Sequence, residues 1–156
     1  MLTRAVLSAM TALLFGSLTL GGVHAADELV KANLTACPSD KTVLGGVNAC
    51  GKIWKLASGD AVIAKDGTTH VDLKGLVLND ASVGQFNGSP DGVDAVAVAL
   101  VCGGTVVAQS DPVLLSKEGN AVVNAKLAVP QTCASPMVLV RERYEGKIGG
   151  WLAATK

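Results

Sequence analysis

Four cysteines, Cys37, Cys50, Cys102 and Cys133, all lie downstream of a segment that reads as an export leader. Thiols delivered to an oxidising compartment pair, so the chain must adopt a fold that brings these four positions together in twos. Three connectivities are possible for four cysteines. The positions favour Cys37–Cys50, which brackets a stretch containing Pro and Gly. They also favour Cys102–Cys133, in which a residue ending a strand-like run joins a loop that enters another. Closing loops of these lengths stabilises by about 3 and about 3.7 kcal/mol, respectively, on the chain-entropy account. None of the four forms a C-x-x-C pair, which argues against a thioredoxin-like redox centre. Zinc would want closer spacings and usually histidine, and His70 is the one histidine beyond the leader.

The leader itself has three parts. Met1–Arg4 carries one positive charge, Ala5–Leu20 is uncharged and apolar, and Val23-His24-Ala25 offers a small-residue cleavage site before Ala26. Residues 1–25 therefore read as a cleaved signal peptide. Ser8, Thr11, Gly16, Ser17 and Gly21-Gly22 interrupt the apolar run, which weakens its alternative reading as a membrane span. Leu34-Thr35-Ala36-Cys37 imitates a lipoprotein processing site, but Asp27, Glu28 and Lys31 separate it from the apolar region it should follow directly. The expected destination is the periplasm or the cell exterior.

Cleavage leaves 131 residues, about one domain. They divide into an N-terminal extension with a disulfide-closed loop, 26–51, and a β-domain, 52–156. The mature chain has 12 basic against 13 acidic side chains, which gives no electrostatic case for nucleic acid or an anionic membrane surface. No later segment reaches transmembrane length, so no span is expected in the mature form.

The mature pattern is almost entirely β. Asp27–Ala36 fits a short helix, with Leu29, Ala32, Asn33 and Ala36 on one side and Pro38 as its stop. Lys52–Ala57 reads as a strand turned by Ser58-Gly59-Asp60. Ala61–Lys65 and Thr68–Leu78 flank Asp66-Gly67, a strong hairpin signal. Asn79–Gly92 is polar and irregular. Val93–Cys102 is apolar on both faces, as in a doubly covered central strand or a half-covered one with a bland alanine face. Thr105–Gln109, Val113–Ser116, Ala121–Val129, Pro136–Arg143 and Trp151–Thr155 complete the set. Eight or nine short strands with regular turns point to a single all-β antiparallel sandwich.

Four strings carry a resemblance: Leu73-Lys74-Gly75-Leu76-Val77-Leu78, Ala97-Val98-Ala99-Leu100-Val101-Cys102, Pro130-Gln131-Thr132-Cys133-Ala134-Ser135-Pro136 and Gly150-Trp151-Leu152-Ala153. From Trp54 to Trp151 the chain resembles a loose group of small exported microbial β-sandwich proteins of unknown function. The resemblance implies an immunoglobulin-like sandwich and a Cys102–Cys133 bridge, and it carries no activity.

The search for chemistry is mostly negative. A Ser-His-Asp site would have to use His70, which alternates outward with Asp72 and Lys74 and has no nucleophile turn to accompany it. The acidic residues sit mainly in turns, where backbone geometry already explains them. Blue-copper ligation fails for want of a second histidine. The paired glycines Gly45-Gly46, Gly103-Gly104 and Gly149-Gly150 read as turns rather than phosphate loops. Asn79, Asp80, Asn87, Asp91 and Asp94 could offer oxygens to Ca²⁺ but do not follow the EF-hand order. Asn33-Leu34-Thr35 is a glycosylation acceptor only in a eukaryotic secretory route.

A surface candidate remains. Arg141, Arg143 and Tyr144 concentrate charge and an aromatic ring at a hairpin tip, residue types favoured at binding hot spots. The alanine face of Val93–Cys102 also suits close packing against a second sheet or a second copy of the chain. The sequence thus points to an exported, non-enzymatic, disulfide-stabilised module, without cofactor or metal, that binds a protein or surface ligand or builds an envelope assembly. The alternative is a small secreted hydrolase using His70 or turn carboxylates.

Overall fold

Val30, Ala32, Leu34 and Ala36 turn inward while Lys31, Asn33 and Thr35 face out, a period of two that makes Glu28–Ala36 the first strand, β1. A helix was expected over Asp27–Ala36. The strand wins because two neighbours compete for its backbone and a helix would satisfy neither. Glu28–Asn33 pairs with the third strand and Leu34–Ala36 with the last. The computed structural model describes residues 27–38 and 41–156, and the expected signal peptide 1–25 lies outside them. The segment 26–51, set apart in the sequence as an extension, thus supplies a strand from the middle of the sheet.

The remaining strands are β2 (Trp54–Lys55), β3 (Ser58–Ala64), β4 (Thr68–Lys74), β5 (Val77–Leu78), β6 (Val93–Cys102), β7 (Thr105–Gln109), β8 (Val113–Leu114), β9 (Ala121–Lys126), β10 (Met137–Tyr144) and β11 (Lys147–Thr155). Seven of them join β1 in one antiparallel sheet, in the order β7-β6-β10-β11-β1-β3-β4-β9, and β8 continues the β7 edge against β6. The sheet curls until β8 lies against β9 at its opposite end. β2 and β5 make a separate two-stranded ribbon. Ser58-Gly59-Asp60, expected to turn the chain, instead opens β3 opposite Asp72–Lys74.

Inside the curl pack Val30, Leu34, Ile63, Val71, Leu73, Val96, Val98, Leu100, Val123, Val138, Val140 and Leu152. Of the four aromatic residues from Ala26 onward, two, Trp54 and Trp151, belong to this cluster. β6 is the doubly covered strand: Ala95, Ala97 and Ala99 on its second face are also buried within the single chain. The loop 41–50 lies on that side of the sheet. The Thr42 carbonyl accepts from Trp151 Nε1 at 3.1 Å, Ala49 bridges Trp151, and Gly45 presses on Val101 and Val106.

Both disulfides join the pairs favoured by sequence position. Cys37–Cys50 has a Cα separation of 6.2 Å and Cys102–Cys133 one of 4.8 Å. The first closes the loop that covers Trp151. The second ties the end of β6 to the segment entering β10. Replacing both cysteines of one pair by alanine should lower unfolding free energy by about 3 kcal/mol for Cys37–Cys50 and about 3.7 kcal/mol for Cys102–Cys133. Urea titrations that show no loss would contradict the stapling role.

The β3–β4 hairpin carries an electrostatic signature. Asp66 accepts from the Thr68 amide at 2.8 Å and its hydroxyl at 3.1 Å, and pairs with Lys126 at 2.9 Å. These bonds, the Thr68 amide first, hold the Asp66 carboxyl at about 2. A carboxyl whose folded value lies below its unfolded value of about 4 stabilises fully above that value and loses its contribution as pH falls through about 2. An Asp66→Asn variant should therefore show a shallower decline of stability between about pH 4 and pH 2 than the parent. Acid titration followed by circular dichroism checks this, and identical slopes would refute it.

Candidate functional site

The β10–β11 hairpin was expected to present Arg141, Arg143 and Tyr144 together, but the structure divides them. β11 contains an irregularity rather than a turn at Gly149-Gly150: Arg141 pairs with Trp151 while Arg143 pairs with Ile148. Two glycines therefore leave the ladder together, and their polar groups need other partners. Arg141 Nε and Nη2 donate to the Gly149 carbonyl at 3.1 and 2.8 Å, and the Gly150 amide donates to Glu142 Oε1 at 3.1 Å. Close approach favours glycine here, since a Cβ on Gly150 would meet the Asn48 and Ala49 carbonyls at 3.1 Å.

Arg141 also reaches across β6, where Nη1 donates to Gln109 Oε1 on β7 at 2.7 Å. Its stem thus crosses the face carrying Ala97 and Ala99, whose small side chains make room for it. Partial burial pulls the guanidinium below its ordinary value, which starts high enough for the charge to persist. Arg143 clasps Asp94 with two bonds, Nε–Oδ1 at 3.0 Å and Nη2–Oδ2 at 2.6 Å. That clasp raises Arg143 and lowers Asp94 from their ordinary values. Both arginines are therefore occupied within the chain.

Tyr144 has a different environment. It is 49% exposed and lines an open cleft of about 360 Å³ together with Trp54, Phe86, Val83, Leu78, Val93, Gly51, Lys52, Asp91 and Glu142. Its ring lies on Gly92, where φ is +77° and any Cβ would collide with the ring. A glycine at this position serves both the turn and the seating of the aromatic. Phe86, 42% exposed, arrives on a short 3₁₀ helix, Ala81–Phe86, kinked at Gly84 and without a buried residue. Short-range side-chain bonds shape this wall, and Val83 packs it against the core. Asp80 accepts from the Ser82 amide at 2.9 Å, Asn87 Oδ1 accepts from the Asp80 amide at 3.1 Å, and the Ser89 hydroxyl donates to the Phe86 carbonyl at 2.8 Å. The Ser82 bonds lower the Asp80 carboxyl. Trp54, only 6% exposed, forms the floor on the β2–β5 ribbon.

Of the other candidates, Asp91 alone lines this cleft. His70 is exposed on β4, with Nδ1 2.7 Å from Asn124 Oδ1, and among the described residues no serine or carboxylate is bonded to it. Among the described residues no group of three or more His, Cys, Asp or Glu is placed to hold a metal ion. Within the polar loop weighed for Ca²⁺ oxygens, Asp80 caps a turn, Asp94 holds Arg143 and Asp91 faces the cleft. Asn33 is exposed on β1.

Tyr144, expected at a hairpin tip beside Glu142, is joined at the cleft by Trp54, Phe86, Lys52 and Asp91, which no spacing in the sequence links to it. One signal was available: with four aromatics from Ala26 onward, each ring is a candidate for a special role. Comparison with protein-family models, with characterised proteins and with solved structures yields no match to this chain.

Arg141→Ala should cost about 1.5–3 kcal/mol, the range for hydrogen bonds to a charged donor, because the Gly149 carbonyl loses its partner and Ala97 its cover. Arg143→Ala should cost less, since its bond to Asp94 is solvent-screened. Chemical denaturation of the two variants orders them; the reverse order would mean that Arg143 is the structural residue.

Proposed function

We propose that this chain is an exported, non-enzymatic binding protein of immunoglobulin-like sandwich type, active in the periplasm or outside the cell, and that it holds its partner at the cleft formed by Trp54, Phe86 and Tyr144. The observation that carries the reading is the gathering of three of the four mature aromatics at one opening, two of them half exposed. Exposed rings gain nothing for the core, whereas aromatic rings in a concave site supply contact area to a ligand at little cost in conformational freedom. Two disulfides support export, because such bonds persist in oxidising compartments. No helix of the described residues is long and apolar enough to cross a membrane.

The run β7–β6–β10–β11, with β1 crossing from it to the other half, supports the immunoglobulin-like comparison. The β3–β4 hairpin inside that other half is the point where the order departs from antibody domains. A catalytic reading has no comparable support, since His70 contacts an amide and lies outside the cleft.

The test is co-purification from the native envelope and culture fractions, using the natural chain and a Phe86→Ala/Tyr144→Ala double variant. Both rings are exposed, so the variant should fold and melt like the parent. Recovery of a bound component should fall about tenfold or more, the consequence of losing two hot-spot rings. Equal recovery would remove the cleft as the binding site. Intact-mass analysis of the same material should give a chain beginning at Ala26 with all four cysteines oxidised; a retained leader or free thiols would overturn export.

A further inference from the structure

Resting on that binding reading, the cleft chemistry can be taken one step further, to the class of ligand. The two carboxylates that line it, Asp91 and Glu142, form no ion pair among the described residues. Glu142 is held in place by a neutral donor, the Gly150 amide on its Oε1, which leaves its charge unanswered. Of the nearby cations, Arg143 is clasped by Asp94. Lys52 lines the cleft, with its ammonium 3.5 Å from Ser82 Oγ and near enough to Asp80 to help lower that carboxyl. The lining therefore sets two carboxylates against one ammonium, beside three aromatic rings.

Aromatic faces carry negative potential and attract a cation placed over them. Carboxylates at the same opening add to that attraction, and they repel an anion. A neutral ring could stack on Tyr144 or Phe86, but it would leave both charges unmatched and gain nothing from them. At about 360 Å³ the space fits one side chain or head group rather than a folded element. We infer that the Trp54–Phe86–Tyr144 cleft binds an organic cation, an alkylguanidinium or alkylammonium group. This cation is either a free small molecule or the end of an Arg or Lys side chain from a partner.

The probes are n-butylguanidinium, n-butylammonium, n-butanol and methyl β-glucoside, titrated into the mature disulfide-bonded protein and followed by amide and aromatic NMR. Saturable shifts should appear with the two cations at the Trp54 indole, Gly92, Asp91, Glu142 and the Phe86 and Tyr144 rings. The alcohol and the glucoside should bind about tenfold or more weakly. Asp91→Asn/Glu142→Gln, which keeps shape and an oxygen for the Gly150 amide, should cost about tenfold in affinity. Tyr144→Phe should retain binding and Tyr144→Leu should lose it. Raising salt from about 0.01 M to about 0.5 M should weaken the cations and leave the neutral probes unchanged.

A blocked pentapeptide with a central Arg distinguishes the two sources. Tighter binding than n-butylguanidinium assigns the site to a partner chain, and equal binding assigns it to the free cation. Comparable binding of a neutral probe, full affinity in the charge-neutralised variant, or no saturable shift with either cation would overturn the inference. Loss of co-purification with the Phe86→Ala/Tyr144→Ala variant would then still stand, so that only the ligand class, not the binding site, would fall.

Discussion

Cys37 is the point on which the architecture turns. It is fully buried and follows the last residue of β1, the strand that pairs with β3 along its first part and with β11 along its end. Its amide donates to the Leu152 carbonyl at 2.7 Å, its carbonyl accepts from the Trp54 amide at 3.1 Å, and its sulfur bonds Cys50. One residue thus fixes the strand shared by both halves of the sheet, the floor residue of the cleft, and the loop over Trp151. A curled sheet of short strands must prevent its two halves from sliding apart. A covalent bond at the crossover meets that need without requiring large side chains in the core.

That economy shows in the composition of the interior. Val, Ala and Leu fill most of the interior, and the second face of β6 is buried with nothing larger than Ala95, Ala97 and Ala99 along that stretch. Small residues permit close approach but bury little apolar area each, so long polar side chains finish the cover. Arg141 is the clearest instance. It satisfies the Gly149 carbonyl, crosses β6 and ends on Gln109, so one side chain repairs a break in one strand and joins two others. Sequence suggested a free cationic hot spot. The interior instead uses that charge as a fastener.

The strands were legible because their signals are local. Alternation over Thr68–Lys74 and the Asp66-Gly67 turn placed the β3–β4 hairpin, and the apolar run Val93–Cys102 gave the central strand. β1 was misread because Leu29, Ala32, Asn33 and Ala36 mimic a helical face, and only its two neighbours reveal its alternation. Gly149-Gly150 was misread for a similar reason. A glycine pair signals a turn unless Arg141 and Glu142, eight residues earlier, take up the freed backbone. The cleft was the least legible feature. Trp54, Phe86 and Tyr144 are far apart along the chain, and no spacing rule links a two-stranded ribbon, a 3₁₀ turn and a hairpin end.

The placement of the rings carries an argument of its own. Trp54 and Trp151 are both buried, but Trp151 is closed over by the disulfide loop whereas Trp54 keeps an edge at an opening. If packing alone decided where aromatics go, Phe86 and Tyr144 would be drawn inward as well, since burying a ring is among the largest single gains available to a small domain. Instead Phe86 stands on a turn with no buried residue, and Tyr144 is laid flat by a glycine whose positive φ costs backbone freedom. Both arrangements forgo stability at the same opening where two carboxylates remain unpaired.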